Sequence, residues 1–555
     1  MRFRTLLIST FGLAVATLTW HCKSGDHKFS KGVKRPKLVI GIVIDQMRWD
    51  YLYKFSSLYS SHGGFKRLLG SGFSCENTFV PYLPTVTAAG HSCIYTGSVP
   101  ALNGIVGNNW WENNYGYKVY CTDDKSVSTV GSKTIPAGQM SPKNLWVTTI
   151  TDELHLATNF QSKTIGISMK DRASILPAGH SANAAYWYDA VSGNFITSTY
   201  YMKALPQWLT AFNDKKLTDS YYNNTWNTLL DTSLYNKFCD ADANDYEKES
   251  VLNGATFPHD LKQFKGKDES AILTTPYGNN LLFDLAKSVI TEEQMGQRDV
   301  TDFLTVSFSS TDYVGHTFGP NSWEIMDTYL RLDETLGQLF DFLDDKVGKD
   351  EYTVFLTADH GGAHVPGFLE KHNMPAGGWD DGEITTELTD ITTQKYKVGL
   401  INDVEEYDIY LNHKAIDSMK LDEEDVKKTI TQHLLKRYNV LDAVDTRKAG
   451  EAALPAKLRE MVINGYNPAR SGDIRFINKT GVMDAGNKGM SHGVWNPYDS
   501  HIPLLWYGWG IEHGHTNRET YMTDISATVA ALLHIQMPSG CVGKVIEEVM
   551  KKKND

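Results

Sequence analysis

Five short apolar runs, each with polar residues at or near one end, constrain the fold of this chain more than any other feature. The first spans residues 38–44, is built mainly of valine and isoleucine, and stops at Asp45. A strand that is buried on both faces of a parallel sheet requires such a run, without polar alternation. The pattern therefore predicts the α/β class, with a mostly parallel central sheet and helices on both of its faces.

The other four runs add polar residues where such a sheet would gather them. They are 164–169 before Lys170 and Arg172, 303–308 before Asp312, 352–357 before Asp359 and His360, and 502–507 after His492. Ligands of open α/β sheets bind beyond the carboxyl ends of the strands. We therefore expect these polar residues to share one site.

The sequence between the apolar runs indicates how the chain is divided into helices and insertions. Residues 321–346 have the apolar periodicity of a helix, with Asn321 in position to cap it. The segments of about 180–300 and 365–480 are more polar and lack the strand pattern. We interpret them as insertions in a single catalytic domain of residues 37–545.

The first 22 residues have the pattern of a secretory signal peptide. Arg2 and Arg4 precede an apolar run that ends near Ala16. That run, of about 11 residues, is too short to cross a bilayer, and no later segment is long and apolar enough, so we predict no transmembrane segment. The expected location is secreted or periplasmic. A lipid anchor at Cys22 is left open as an alternative to a free chain.

The charge balance narrows the choice of partners. The chain has 54 Lys and Arg against 66 Asp and Glu, a net charge of −12, and no basic block. Nucleic-acid binding depends on clustered Lys and Arg, so we do not expect it. An acidic protein can still bind a small anion where metal ions reverse the local charge.

The remaining cysteines carry no sign of metal or redox chemistry. None has the Cys-x-x-Cys spacing, and we expect apolar core residues with at most one disulfide among them. They are Cys75, Cys93, Cys121, Cys239 and Cys541.

Three carboxylates and three imidazoles lie at the ends of the predicted strands. They are Asp45, Asp312, Asp359, His316, His360 and His492. Zn²⁺ accepts both ligand types and typically takes four, so six protein ligands would partly fill two ions and leave room for a substrate. A single Asp after a strand is usually a cap or turn residue, but the joint placement favours a two-metal site.

A nucleophile and an anion-binding set complete the predicted site. Thr87 precedes three small residues and a helical stretch, so its hydroxyl is placed for an anion or a metal, although Thr85 fits equally well and a cap is the ordinary role. Lys170, Arg172 and Asn108 have the donors that bind a phosphoryl group. The metals and these cations would make the pocket locally positive.

The same residues carry a resemblance to a known family. The chain resembles the alkaline phosphatase superfamily, and closely the secreted bacterial alkaline phosphatases of the PafA type, over nearly the whole mature chain. The phrases that carry it are Val43-Ile-Asp45-Gln-Met-Arg-Trp-Asp50, Pro84-Thr-Val-Thr87, Lys170-Asp-Arg172-Ala-Ser-Ile-Leu-Pro177, Ser310-Thr-Asp312-Tyr-Val-Gly-His316, Ala358-Asp-His360-Gly and His492-Gly-Val-Trp495.

The resemblance implies a role for each residue. It makes Thr87 the nucleophile, in place of Thr85. One Zn²⁺ would be held by Asp45, Thr87, Asp359 and His360, and the other by Asp312, His316 and His492, with Asn108, Lys170 and Arg172 on the phosphate oxygens. Because Lys170 stands where other alkaline phosphatases recruit Mg²⁺, no obligatory Mg²⁺ is expected. His91 and His364 match no ligand position.

The implied activity is hydrolysis of small phosphate monoesters by a monomer, through a phosphothreonine intermediate. A broad substrate range and a role in phosphate scavenging are expected. The alternative is a phosphodiesterase or nucleotide pyrophosphatase on the same two-metal core. Lys170 and Arg172 favour the monoesterase, because two cations suit a dianion better than a diester.

Overall fold

The structure is a computed structural model that describes residues 33–551, apart from 113–114, 250, 253, 438 and 485. The predicted signal peptide and Cys22 lie outside the described residues. Within the described ranges, none of the helices combines the length and the apolar character needed to span a bilayer. The five cysteines of the same ranges are free thiols, of which Cys75, Cys93 and Cys121 are buried.

A large sheet forms the centre of the fold. Its strands lie in the order Gly514–Thr516, Phe73–Cys75, Leu504–Gly508, Tyr352–Thr357, Leu38–Ile44, Asp302–Phe308, Thr164–Ser168, Ala184–Asp189, Asn194–Ser198 and Thr129–Val130. The strands from Tyr352–Thr357 to Ala184–Asp189 are parallel to one another. Every residue of Leu38–Ile44 is buried. Because successive side chains point to opposite faces, both faces of this strand are covered, which confirms the predicted α/β class.

The register of the parallel strands brings their carboxyl ends level. Val43 pairs with Ser307 on one side and with Thr357 on the other. Ser307 in turn pairs with Ser168. The residues that follow these strands therefore emerge along one edge of the sheet. The run predicted at 502–507 forms Leu504–Gly508, which is antiparallel to its neighbour, so residues that precede it in the chain lie at that edge.

The helices vary from single turns to six turns. The longer ones are Gly64–Ser71, Thr87–Thr96, Ile150–Ala157, Asp171–Ala178, Gln207–Asp214, Pro276–Glu292, Ser310–Phe318, Trp323–Leu343, Asp381–Tyr396, Glu423–Leu434, Ala456–Gly465 and Asp524–Leu533. The prediction that Asn321 caps Trp323–Leu343 is wrong. Ser322 is the cap, because its hydroxyl accepts a hydrogen bond from the Ile325 N–H at 3.1 Å, while the Asn321 amide contacts His364.

The segment of about 365–480 contains a second, smaller sheet. Its strands lie in the order Ile401–Glu405, Asp408–Leu411, Ile474–Asn478 and Val440–Asp445, each antiparallel to its neighbour. The sheet has its own buried core, shared with the helices Asp381–Tyr396 and Glu423–Leu434. The segment of about 180–300 instead supplies Ala184–Asp189 and Asn194–Ser198 to the large sheet.

Candidate active site

Two groups of potential metal ligands lie at the carboxyl edge of the large sheet. Asp45, Asp359 and His360 form one group, and Asp312, His360 and His492 form the other. Within each group the ligand atoms all lie within 4.8 Å of one another. His360 belongs to both groups, so the two sets are contiguous. His316 joins the second set, because its Nε2 lies 3.1 Å from Asp312 Oδ1.

The three imidazoles share one orientation toward these carboxylates. In each ring Nδ1 donates to a backbone carbonyl: His316 to Met490 at 2.7 Å, His360 to Gly361 at 2.8 Å and His492 to Thr85 at 2.8 Å. A carbonyl only accepts, so Nδ1 carries a proton in each ring, and Nε2 is the nitrogen that a metal would bind once any proton on it is lost. Burial, together with His360 and His316, lowers the pKa of His492 well below its ordinary value, which keeps that ring neutral.

The carboxylates of the site are buried and only partly paired. Asp45 Oδ1 and Asp359 Oδ2 make no hydrogen bond of good geometry among the described residues, although His91 Nδ1 lies 3.3 Å from Asp359 Oδ2. Buried carboxylate oxygens almost always have a hydrogen-bond partner. Oxygens that bind a metal ion are an exception, because the ion takes the place of that partner, and these two atoms fit such a role. Mixed carboxylate and imidazole donors in this arrangement fit Zn²⁺.

The positively charged ammonium group of Lys170 lies between one carboxylate of each set. Its Nζ lies 2.7 Å from Asp45 Oδ2 and 2.6 Å from Asp312 Oδ2. Burial would raise the pKa of Asp312, but His316 and Lys170 outweigh it and hold that pKa well below its ordinary value. Asp312 is therefore an anion over the working pH range.

Thr87 is the first residue of the helix Thr87–Thr96 and lies beside the first ligand group. Its Oγ1 is 3.5 Å from His360 Nε2, and the residue is 1% exposed. The cap position is occupied by Val86, so Thr87 does not serve as a cap. Thr85 is engaged elsewhere, since its hydroxyl donates to Asp499 Oδ2 at 2.9 Å and accepts from the Gly493 N–H at 3.1 Å. Of the two threonines, only Thr87 has its oxygen beside the ligand groups.

The small residues after Thr87 allow the helix to approach the sheet closely. A Cβ atom at Gly90 would lie 2.5 Å from the backbone oxygen of Asp359. Any side chain there would displace the helix from the strand end. The glycine therefore positions Thr87 against the ligands.

The predicted phosphate-binding residues surround the start of that helix and of a second helix. Asn108 Oδ1 accepts a hydrogen bond from the Ala88 N–H at 3.0 Å, next to Thr87. Lys170 is the cap of the helix Asp171–Ala178. Arg172 donates from Nη1 to the Tyr120 hydroxyl at 3.0 Å, and its buried Nε has no partner among the described residues.

Sequence reasoning missed the contribution of Gln46. Its backbone N–H donates to Asp359 Oδ1 at 3.2 Å and its Nε2 donates to Asp312 Oδ1 at 2.8 Å. It therefore bridges the two ligand groups. The residue has a φ of 63°, in the left-handed region that a non-glycine residue rarely adopts, and nothing in the sequence indicated this.

The turn between Ile401–Glu405 and Asp408–Leu411 was also missed. We call Glu406 and Tyr407 the hairpin tip; both have positive φ, 48° and 75°. Both carboxylate oxygens of Glu406 accept from the Asn108 N–H, at 3.2 and 3.0 Å, and the Tyr407 hydroxyl donates to the His492 carbonyl at 3.0 Å. The turn lacks the glycine or asparagine that predicts such a hairpin, so no local signal marked it.

His91 and His364 lie outside both ligand groups. His91 is fully buried; its Nδ1 lies 2.9 Å from the Thr87 carbonyl and 3.3 Å from Asp359 Oδ2, and its Nε2 lies 2.8 Å from the Ser307 hydroxyl. His364 contacts Arg48 and Asn321. Neither ring is placed to complete a metal site with the residues named above.

The chain is similar to several known proteins. The sequence model of the family described as Type I phosphodiesterase / nucleotide pyrophosphatase matches residues 39–501. Alkaline phosphatase PhoV of Synechococcus elongatus is 51% identical over 526 residues, which are 94% of each chain. Alkaline phosphatase PafA of Elizabethkingia meningoseptica is 49% identical over 527 residues, 94% of this chain and 96% of that one. The crystal structure of wild-type PafA is 48% identical and has a TM-score of 0.91 over 94% of this chain and 100% of its own.

Proposed function

The chain belongs to the type I phosphodiesterase / nucleotide pyrophosphatase family, within the alkaline phosphatase superfamily, and it is an alkaline phosphatase. We propose the following mechanism for its hydrolysis of phosphate monoesters. Thr87 is the nucleophile and a phosphothreonine is the intermediate. The single observation that carries this proposal is the position of Thr87 Oγ1 at a helix N-terminus, 3.5 Å from His360 Nε2.

The superfamily implies a divalent metal, and we propose that the chain holds two Zn²⁺ ions. Asp45, Thr87, Asp359 and His360 would hold one, and Asp312, His316 and His492 the other. When bound, the ions supply positive charge that stabilises oxygen anions and lowers the pKa of hydroxyl groups. The oxygens of Asp45 and Asp359 that make no hydrogen bond of good geometry support this assignment. The ammonium of Lys170 between Asp45 and Asp312 supports a site without an obligatory Mg²⁺.

The chain's own residues then divide the work of the reaction. Thr87 Oγ1 forms a bond to phosphorus as the bond to the ester oxygen breaks, and water later cleaves the phosphothreonine to release phosphate. Lys170, Arg172 and the Asn108 side chain bind the non-bridging oxygens. Phosphoryl transfer has a loose transition state with charge spread over those oxygens, so positioning and charge provide most of the rate.

Removing one of the two cations should distinguish the monoesterase from the diesterase alternative. We expect Lys170→Ala or Arg172→Ala to lower kcat/KM for an aryl phosphate monoester by about 10²–10³, the magnitude for losing one preorganised donor. The loss for an aryl diester should be smaller, because a diester carries one anionic oxygen fewer. Steady-state rates of aryl alcohol release measure both substrates in the same variants.

The control is Lys163→Ala, because Lys163 pairs with Glu293 at 2.7 Å and does not contact the site residues. It should leave both activities within about twofold, as a surface substitution does. If the wild-type enzyme hydrolysed the diester faster than the monoester, the alternative function would replace the proposal.

Glu406 should make the stability of the protein depend on pH. Burial, and the charge of Glu405, raise the pKa of Glu406 to about 8. An acid with a raised pKa contributes stability below its ordinary pKa, and that contribution is lost as the pH rises through the folded value. We therefore expect the free energy of unfolding of Glu406→Gln, measured relative to wild type, to be roughly 1–3 kcal/mol higher at pH 9 than at pH 5.

Thermal unfolding of the metal-loaded enzyme at the two pH values measures this difference. Glu351→Gln is the control, because Glu351 is an exposed carboxylate that pairs with Lys37 at 3.7 Å, and its stability difference from wild type should be the same at pH 5 and pH 9. An equal stability difference at pH 5 and pH 9 for Glu406→Gln would contradict the expectation.

We also propose the setting in which the enzyme works. The N-terminal sequence supports a secreted or periplasmic location, with or without a lipid anchor at Cys22. We propose a monomer that acts on a broad range of small phosphate monoesters and not on nucleic acid, with residues 37–545 as one catalytic domain. The spread of the site residues from Asp45 to His492 supports a single domain.

A further inference from the structure

The rings of His360 and His492 are stacked on each other where the two ligand groups meet. Their centroids lie 3.7 Å apart, and their planes are inclined to each other by 19°. In the assignment above, the two rings bind different zinc ions. Because the rings are in contact, neither can turn without displacing the other, so the two proposed metal sites depend on one relative orientation.

The orientation of each ring is set by a backbone carbonyl. His360 Nδ1 donates to the Gly361 carbonyl, and His492 Nδ1 donates to the Thr85 carbonyl, each at 2.8 Å. The hydrogen bond made by one ring nitrogen of a metal-binding histidine fixes the direction of the other nitrogen. The directions of the two Nε2 atoms therefore depend on the segments that carry Gly361 and Thr85.

Asp499 contacts both of these segments. Its backbone carbonyl accepts a hydrogen bond from the Gly361 N–H at 2.6 Å, and its side-chain Oδ2 accepts from the Thr85 hydroxyl at 2.9 Å. The residue is 0% exposed, and Thr85 is 414 positions away in the sequence. A single buried residue thus links the two segments that orient the stacked rings.

The carboxyl group of Asp499 also holds the backbone that follows His492. Its Oδ2 accepts a second hydrogen bond from the Val494 N–H at 2.8 Å, while the Thr85 hydroxyl accepts from the Gly493 N–H at 3.1 Å. The other oxygen, Oδ1, has no hydrogen-bond partner among the described residues. One acceptor oxygen therefore connects Thr85 with the chain directly after His492.

The link to the His360 segment is made by backbone atoms. The Asp499 carbonyl, and not its carboxyl group, accepts from the Gly361 N–H. A Cβ atom at Gly361 would lie 2.4 Å from the Tyr498 carbonyl oxygen, so this close approach of the two segments requires glycine. A substitution of the Asp499 side chain should therefore loosen His492 and leave His360 in place.

We propose that Asp499 is a positioning residue that fixes His360 and His492 relative to each other. It anchors the first ring through its backbone and directs the second through its carboxyl group and Thr85. An acceptor oxygen, rather than a negative charge, is what the Thr85 hydroxyl and the Val494 N–H require. The proposal rests on the two zinc sites of the proposed function, because Asp499 acts on the reaction only through the metal ligands that it orients.

A pair of variants at Asp499 separates this role from general packing. Asp499→Leu has nearly the same size but no acceptor, and it should weaken the binding of the zinc ion at His492 by about 10–100-fold, the usual cost of losing a residue that orients a metal ligand. The ion at His360 should bind within about threefold of wild type. Asp499→Asn keeps an acceptor oxygen and should restore both affinities. Zinc titration against a chromophoric chelator measures the two affinities.

Two further measurements use the same variants. The kcat/KM for an aryl phosphate should fall by about 10–100-fold in Asp499→Leu and recover in Asp499→Asn. With Co²⁺ in place of zinc, the visible absorption depends on the geometry of the ligands around the ion, and it should change in Asp499→Leu alone. Asp341→Leu is the matched control, because Asp341 is an exposed carboxylate that pairs with Arg67 at 3.1 Å, and it should behave as wild type.

Variants of Thr85 decide the question if Asp499→Leu fails to fold. Thr85→Val keeps the shape of the side chain and the backbone carbonyl but lacks the hydroxyl, so it should weaken the same zinc ion, whereas Thr85→Ser should not. If both side chains act through His492, the double variant Thr85→Val/Asp499→Leu should lose no more than the larger of the two single effects.

The proposal is overturned if Asp499→Leu and Thr85→Val bind both zinc ions as tightly as wild type, or if they weaken both ions equally. The second result would mean that the substitutions damage the whole site and do not act on His492. A wild-type enzyme that binds no zinc at His492 would refute the proposed function, and this proposal with it, in the wild-type titration itself.

Discussion

Replacing Thr87 by alanine is expected to lower kcat/KM for an aryl phosphate by about 10⁴–10⁶-fold, the range found when a catalytic nucleophile is removed. The alanine keeps the helix and the ligand groups but lacks the oxygen that lies 3.5 Å from His360. The expected loss is large because, in the part of the chain that the structure describes, the Thr87 hydroxyl is the one beside His360 Nε2, whereas the Thr85 hydroxyl is bonded to Asp499. Stopped reactions with labelled substrate should trap phosphoenzyme on wild type and none on the variant.

Two further variants serve as controls for the nucleophile. Thr87→Ser retains a hydroxyl and should recover most of the lost rate, together with the phosphoenzyme. Thr85→Ser keeps the bonds to Asp499 and Gly493 and should stay close to wild type. Labelled phosphate bound covalently to Thr87→Ala would refute the assignment of Thr87.

Removal of the metal ions is expected to lower activity on the order of 10³-fold or more, because the buried carboxylates and imidazoles would lose the charge they are built to hold. Activity should return with Zn²⁺ and reach its maximum at two ions per chain. Addition of Mg²⁺ alone should not restore it, since Lys170 already provides a positive charge between Asp45 and Asp312. Elemental analysis and activity, measured on the same samples, give the stoichiometry.

A ligand variant separates this effect from general damage by the chelator. His492→Gln should lose one zinc and most of the activity while the other group stays filled. Asn321→Ala, which alters a contact of His364 outside both groups, should keep both ions. Full activity in enzyme freed of zinc would contradict the proposed role of the metal.

The parts of this protein that could be predicted from its sequence are those whose structure is determined by a short, local pattern of residues. Leu38–Ile44 is buried on both faces, and a continuous apolar run is the pattern typical of such burial. The acids at the ends of these strands could be expected together, because a parallel register brings strand ends level. The sequence therefore predicted the fold class, and it also led us to expect Asp45, Asp312 and Asp359 near one another, as they lie in the structure.

The parts that could not be predicted depend on contacts between distant segments. Glu406 reaches the Asn108 backbone across 298 positions of sequence, and Gln46 reaches Asp312 across 266. Both residues adopt left-handed backbone conformations that their side chains do not favour, and such strain persists only where the surrounding structure enforces it. Neither a hydrophobic period nor a turn signal records this kind of constraint.

The hairpin tip couples the position of the four-stranded sheet to two residues of the candidate active site. Through Glu406 it touches the loop that carries Asn108, and through Tyr407 it touches the carbonyl of His492. A small rotation of the four-stranded sheet would therefore shift Asn108 and His492, which we propose as a phosphate-binding residue and a metal ligand, in one movement. Replacing this sheet by that of a relative would therefore also change the positions of Asn108 and His492. Substitutions in a segment that contributes no reacting atom can in this way alter the catalytic site during evolution.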